Sequence, residues 1–156
     1  MGRGSVRAEQ SCNWSWVFGG QDGAEAVIRY DDVMSLLFGA CPSYAVSDEA
    51  ASHDNRNGHY ILMEYFVTHL IRLLEVGHTD SFPAVFGVAE RVLLEGDGQA
   101  RGLVTYGFLE DLTSAELFYT PSAKPSDFLP WFGSQACRDH HVRRLMDRRR
   151  PSDPSA

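Results

Sequence analysis

The chain has 156 residues, enough for one domain around a single buried core. Its formal net charge is -7, and the charge is uneven: residues 1–137 carry 8 Lys and Arg against 18 Asp and Glu, whereas residues 138–156 carry 6 against 3. An acidic body repels phosphate backbones, which argues against nucleic-acid binding, and three separated cysteines (Cys12, Cys41, Cys137) with no CxxC pair argue against a disulfide framework or a zinc knuckle.

In chain order, residues 1–28 are rich in Gly, Ser and Gln and lack a helical period, so they read as an irregular N-terminal arm or disordered leader. Within it "NWSWVF" places Trp14, Trp16 and Phe18 on one side of an extended segment. From Tyr30, "YDDVMSLLFGACP" predicts a short helix with Asp31 or Asp32 as cap, Val33, Leu36 and Leu37 at helical spacing, and a stop at Gly39 to Pro42. "SYAVSDEAASHDNRNGH" reads as a polar loop. A second helix carries Leu62, Phe66, Leu70 and Leu73 on one stripe, with Glu64, Thr68 and Arg72 on another side, and ends at Gly77 in a left-handed conformation.

The third helix starts at Asp80 or Ser81, holds Pro83 in its first turn, packs Phe82, Phe86, Ala89 and Leu93, and closes at Gly96. The fourth begins after Asp97 and runs to about Phe118. After "TPSAKPSD" and an apolar turn, "FLPWFG", Ser134 is predicted to cap a last helix, "QACRDHHVRRLMDRRR". The expected architecture is all-α: a bundle or short array of about five helices over residues 29–149, with a disordered tail at 150–156. The most apolar stretch, "YILMEYFVTHLIRLLEV", is broken by Glu64, His69, Arg72 and Glu75. It cannot span a bilayer, and with no secretory h-region the expectation is a cytoplasmic protein with no membrane partner.

In the fourth helix Val104, Phe108, Leu112 and Ala115 form the buried stripe, widened by Leu109. Glu110 then falls on the opposite side and Asp111 at the edge of the stripe, so the two carboxylates diverge and cannot act as a catalytic dyad. Glu110 reads as a solvated charge. Asp111 reads as a structural polar residue that accepts backbone hydrogen bonds or pairs with an arginine, so that Asp111→Ala is expected to cost about 1–2 kcal/mol.

Cys137 and His141 lie one helical turn apart, but a metal site needs more ligands; His140 points elsewhere, and His53, Asp54 and His59 have no warrant to fold back. No metal and no cofactor is expected. Phosphate-loop, dinucleotide and HExxH motifs are absent from the sequence, and "GDGQARG" is a turn. The nearest groups for an enzyme are Asp111, Cys137, His140 and His141, with no flanking nucleophile signature. "RRLMDRRR" reads as a solvated helix end.

The segments "LLFGACPSY", "YFVTHLIRLLEVG", "FPAVFGVAERVLLEGD", "GFLEDL" and "FLPWFG", in that order over residues 29–147, resemble a family of small bacterial helical domains of unknown function, loosely associated with toxin and immunity loci. The resemblance implies an all-α fold and a protein-binding role, and carries over no catalytic residues. The expected function is therefore a protein-binding domain, in its finer form an immunity protein that covers a cognate toxin with an acidic surface. Asp31, Asp32, Asp48, Glu49, Asp54, Glu64, Glu75 and Glu110 are the candidate contacts. The alternatives are an enzyme using Asp111, Cys137 and His141, or an oligomeric module in which Trp14 and Trp16 cross to another protomer.

Overall fold

A computed structural model describes residues 27–52 and 58–149. Trp14, Trp16 and Phe18, the ligand candidates His53 and Asp54, and the tail lie outside the described residues. Among those described the domain is all-α, as its periodicity predicts. The helices are α1 (Tyr30–Ala40), α2 (Asp48–Ser52), α3 (His59–Val76), α4 (Phe82–Glu95), α5 (Gly98–Leu103), α6 (Glu110–Thr113) and α7 (His140–Arg149), with a π-helical segment, Val104–Leu109, running between α5 and α6.

The chain enters along α4. Ile28 N–H donates to the Glu95 carbonyl at 3.0 Å, Asp97 N–H donates to the Ile28 carbonyl at 2.8 Å, and the Ile28 side chain is buried in the core. This crossing needs Gly96, because a Cβ there would stand 2.5 Å from the Val92 carbonyl oxygen. The Asp97 carboxylate then caps two helices. It accepts from Ala100 N–H at 2.7 Å at the start of α5, and from Tyr30 N–H at 3.4 Å at the start of α1. Asp31 and Asp32 are thus not caps; they lie in the first turn of α1, where the helix dipole favours negative charge.

Over Pro42–Val46 and Asp48–Ser52 the segment after α1 is helical rather than a loop. Pro42–Val46 forms a tight 3₁₀ turn, and Ser47 caps α2: its Oγ donates to the Tyr44 carbonyl at 2.6 Å and accepts from Ala50 N–H at 3.1 Å. "SDEA" carried that cap, a serine followed by two acidic residues at a helix start. α3 buries Leu62, Phe66 and Leu70 and stops at Gly77, whose φ of 77° lets His78 N–H reach back to the Leu73 carbonyl at 2.8 Å.

The fourth predicted helix is shorter and less regular than its stripe suggests. The π-helical turns over Val104–Leu109 add residues to each turn and bring Gly107 against Met63 of α3, where a Cβ would be 3.1 Å from the Met63 side chain. Val104, Phe108, Leu109 and Leu112 are fully buried as expected, but Ser114 turns extended (ψ 121°) and Ala115 lies exposed beyond the end. Thr113 Oγ, bonded to the carbonyls of Leu109 and Glu110, ties off that end.

The last helix also starts later. Asp139 caps it, accepting from His141 N–H at 2.8 Å, and its extended backbone separates α7 from a short turn at Ala136–Arg138. Ser134 instead donates to the Glu90 carboxylate at 3.1 Å. Between these, Phe128, Trp131 and Phe132 of "FLPWFG" pack onto Phe82 and Phe86 of α4, with ring centroids 5.0 Å apart for Phe82 and Trp131 and 5.8 Å for Phe86 and Phe128. A second aromatic group, Phe38, Tyr44 and Phe66, joins α1, the 3₁₀ turn and α3.

Candidate functional site

α3 presents two polar regions. Near its start, Tyr60, Ile61 and Glu64 are exposed, and the Tyr60 hydroxyl sits 3.7 Å from where a Cβ on Gly102 would be. Tyr106, one turn on from Gly102, is 62% exposed. Asp111 belongs to this face, because Glu64 is a main source of the negative field on its carboxyl. Burial first, then Glu64, then Glu110 push the Asp111 carboxyl up to about 7. The arginine or backbone donor that the sequence asks for is missing: among the described residues no hydrogen bond or ion pair reaches the Asp111 side chain. The face extends to α1, since Tyr30 stacks on His59 at 4.4 Å and its phenol is pushed up by burial, then by Tyr60 and Asp31.

Glu110 turns the other way, as the helical wheel predicts, with its Oε2 3.8 Å from His141 Nε2. The small pocket there is lined by Glu110, Thr113, Ser114, His141, Arg144 and Arg148, and takes in neither Asp111 nor Cys137. Cys137 points its thiol at the Phe132 carbonyl at 3.9 Å, and burial, then Glu90, push that thiol up. The enzyme candidates Asp111, Cys137 and His141 are therefore turned toward different surroundings. His140 is exposed.

The second polar region lies one to two turns along α3. Glu49 was expected on the surface; it is 6% exposed, and its carboxylate meets Arg72 Nε at 2.6 Å and His69 Nδ1 at 3.4 Å. His69, itself buried, holds Ser43 Oγ at 2.9 Å through Nε2, and Cys41 Sγ is 3.5 Å from the same hydroxyl. Burial lowers the His69 imidazole below its ordinary 6.5, partly opposed by Glu49. Sequence reasoning missed Ser43 and His69. His69 follows Phe66 by three positions, which places it on the buried stripe, and that was the available signal.

The remaining acidic candidates scatter. Asp32 and Asp48 are exposed, and Asp54 lies outside the described residues. Glu75 accepts from Thr120 Oγ at 2.6 Å. Beside α4, a groove of about 420 Å³ is lined by Phe86, Leu94, Trp131 and Glu90, whose carboxylate accepts from Gln135 N–H at 2.5 Å and Ala136 N–H at 3.2 Å. Among the described residues no helix is long and apolar enough to cross a membrane, and no three His, Cys, Asp or Glu side chains gather as metal ligands.

No curated protein and no solved structure matches this chain. A family model described as a domain of unknown function, DUF7674, matches residues 34–138, from within α1 to the turn before α7 and so across both polar regions of α3. The chain belongs to that domain family.

Proposed function

We propose that this domain binds a protein with a basic contact surface, through the face that Tyr60, Glu64, Tyr106 and Asp111 form. The observation that carries the reading is the Asp111 carboxyl: half-buried and in the field of Glu64, with no cation from the described residues to pair with it, beside exposed aromatic rings. A lysine or arginine from a partner would relieve that repulsion and stack on the tyrosines, so the free energy of bringing the carboxylates together is recovered on binding. In the finer form of the proposal the partner is a toxin whose working surface is basic, such as a nuclease, and Asp31 at the edge of the face adds to electrostatic steering.

The test is co-purification of the tagged protein with the products of its neighbouring genes at low and high salt. A stoichiometric partner that is lost at high salt, and lost at low salt when Glu64 and Asp111 are both changed to lysine, supports the reading. Recovery of the same partner by the doubly reversed variant contradicts it.

A further inference from the structure

We infer that Ser43, His69 and Glu49 form a serine nucleophile site that takes an acyl group from an activated ester or thioester. The inference is independent of the acidic face, since it rests on groups placed by the 3₁₀ turn, α2 and the second half of α3. Their geometry is that of a charge-oriented hydroxyl. Ser43 is exposed, its Oγ is 2.9 Å from His69 Nε2, and His69 Nδ1 is 3.4 Å from Glu49 Oε2. Glu49 and His69 are both more than nine-tenths buried. Arg72 Nε lies 2.6 Å from the other Glu49 oxygen.

A carboxylate on Nδ1 selects the tautomer with its proton there, which leaves the Nε2 lone pair facing the Ser43 hydroxyl. Burial, which disfavours the imidazolium, keeps Nε2 free to accept a proton near neutral pH. In the step, Ser43 Oγ bonds to the acyl carbon while its proton passes to His69 Nε2. The bond to the leaving alkoxide or thiolate then breaks, and that group takes the proton from His69. Water, deprotonated by the same nitrogen, attacks the acyl-serine and releases the acid, restoring the Ser43 hydroxyl. Glu49 acts through His69 and is a positioning residue, and the Ser43 position at the protein surface fits an acyl group carried on a flexible or extended substrate. The competing reading is a tether, in which the same hydrogen bonds only pin the 3₁₀ turn to α3.

The experiment that separates them is labelling of the full chain with a fluorophosphonate probe, located by peptide mass spectrometry. The expected result is a single adduct on Ser43, formed at least about 100-fold faster in the native than in the urea-unfolded chain, the scale of a positioned general base. Ser43→Ala, a change at an exposed hydroxyl, should abolish the adduct with helicity unchanged, and His69→Gln should slow it by about the same 100-fold. If His69→Gln does not fold, the native against unfolded rates of the unaltered chain still decide. Equal rates in the two states, an adduct on another residue, or no adduct overturns the site and leaves the tether.

Discussion

Glu49 and Asp111 both bring a carboxylate to α3, and the helix receives them in opposite ways. Beside the second half of α3, Glu49 is buried against a histidine on one oxygen and an arginine on the other. Beside the first half, Asp111 is half-buried next to another carboxylate, Glu64, with no compensation among the described residues. Charge burial is tolerated in either place, but for different reasons: the first is part of what holds α2 and the 3₁₀ turn onto α3, while the second is a repulsion the fold retains and a partner can remove. Selection for stability alone would neutralise the second site, which is why we propose it as the partner-binding one.

The largest expected effect comes from breaking the compensated site. Glu49→Ala leaves a buried histidine and an arginine without their acceptor and should cost about 2 kcal/mol; a fully buried pair loses about 3–5 kcal/mol, but Arg72 is 60% exposed and its charge returns to water. Chemical denaturation followed by circular dichroism measures it. A third carboxylate, Glu90, sharpens the comparison because backbone amides rather than cations satisfy it. A Cβ on Gly133 would press into the Glu90 carboxylate, so Gly133→Ala should cost about 1–2 kcal/mol by forcing that cap apart. Unchanged stability would show that the cap moves freely.

Asp111→Asn should go the other way, with a gain of order 1 kcal/mol above pH 7 once solvent screening at a half-exposed group is allowed for. The sign follows from proton uptake. Between its ordinary value of 3.8 and about 7 the folded Asp111 binds more protons than the unfolded chain, so its contribution to stability falls as pH rises through that window. His69 works in the opposite sense: its folded value lies below 6.5, so its contribution is present above 6.5 and is lost as pH falls below it. Stability curves of Asp111→Asn and the unaltered protein should therefore converge near pH 4 and separate by pH 8. The smallest effect belongs to Glu110→Ala, an exposed carboxylate 3.8 Å from a histidine, which should stay within about 0.5 kcal/mol in the same measurement.

Much of the fold was legible because it rests on short-range rules. The stripe of α3, the left-handed Gly77, Pro83 in the first turn of α4 and the divergence of Glu110 from Asp111 all follow from helical periodicity and terminal chemistry. What could not be read depends on contacts distant in sequence. Asp97 capping Tyr30, 67 positions away, displaced the local candidates Asp31 and Asp32, and Glu90 claimed Ser134 across 44 positions, leaving Asp139 to start α7. The π-helical turns at Val104–Leu109 follow from no composition rule, and they shape the rod that carries Asp111. The acidic candidates were read as one surface; Glu64 and Asp31 stand near the α3 face, whereas Glu49 went inward because α2 packs where a loop was expected.

The most direct test of the central claim is an NMR titration of the Asp111 side-chain carboxyl in the free protein. The account predicts a midpoint near 7, in line with a carboxyl raised first by burial and then by Glu64, and a fall toward the ordinary value when a basic partner binds. A midpoint near 4 in the free protein would show that the charge is already compensated, and the case for this face as the binding surface would fail.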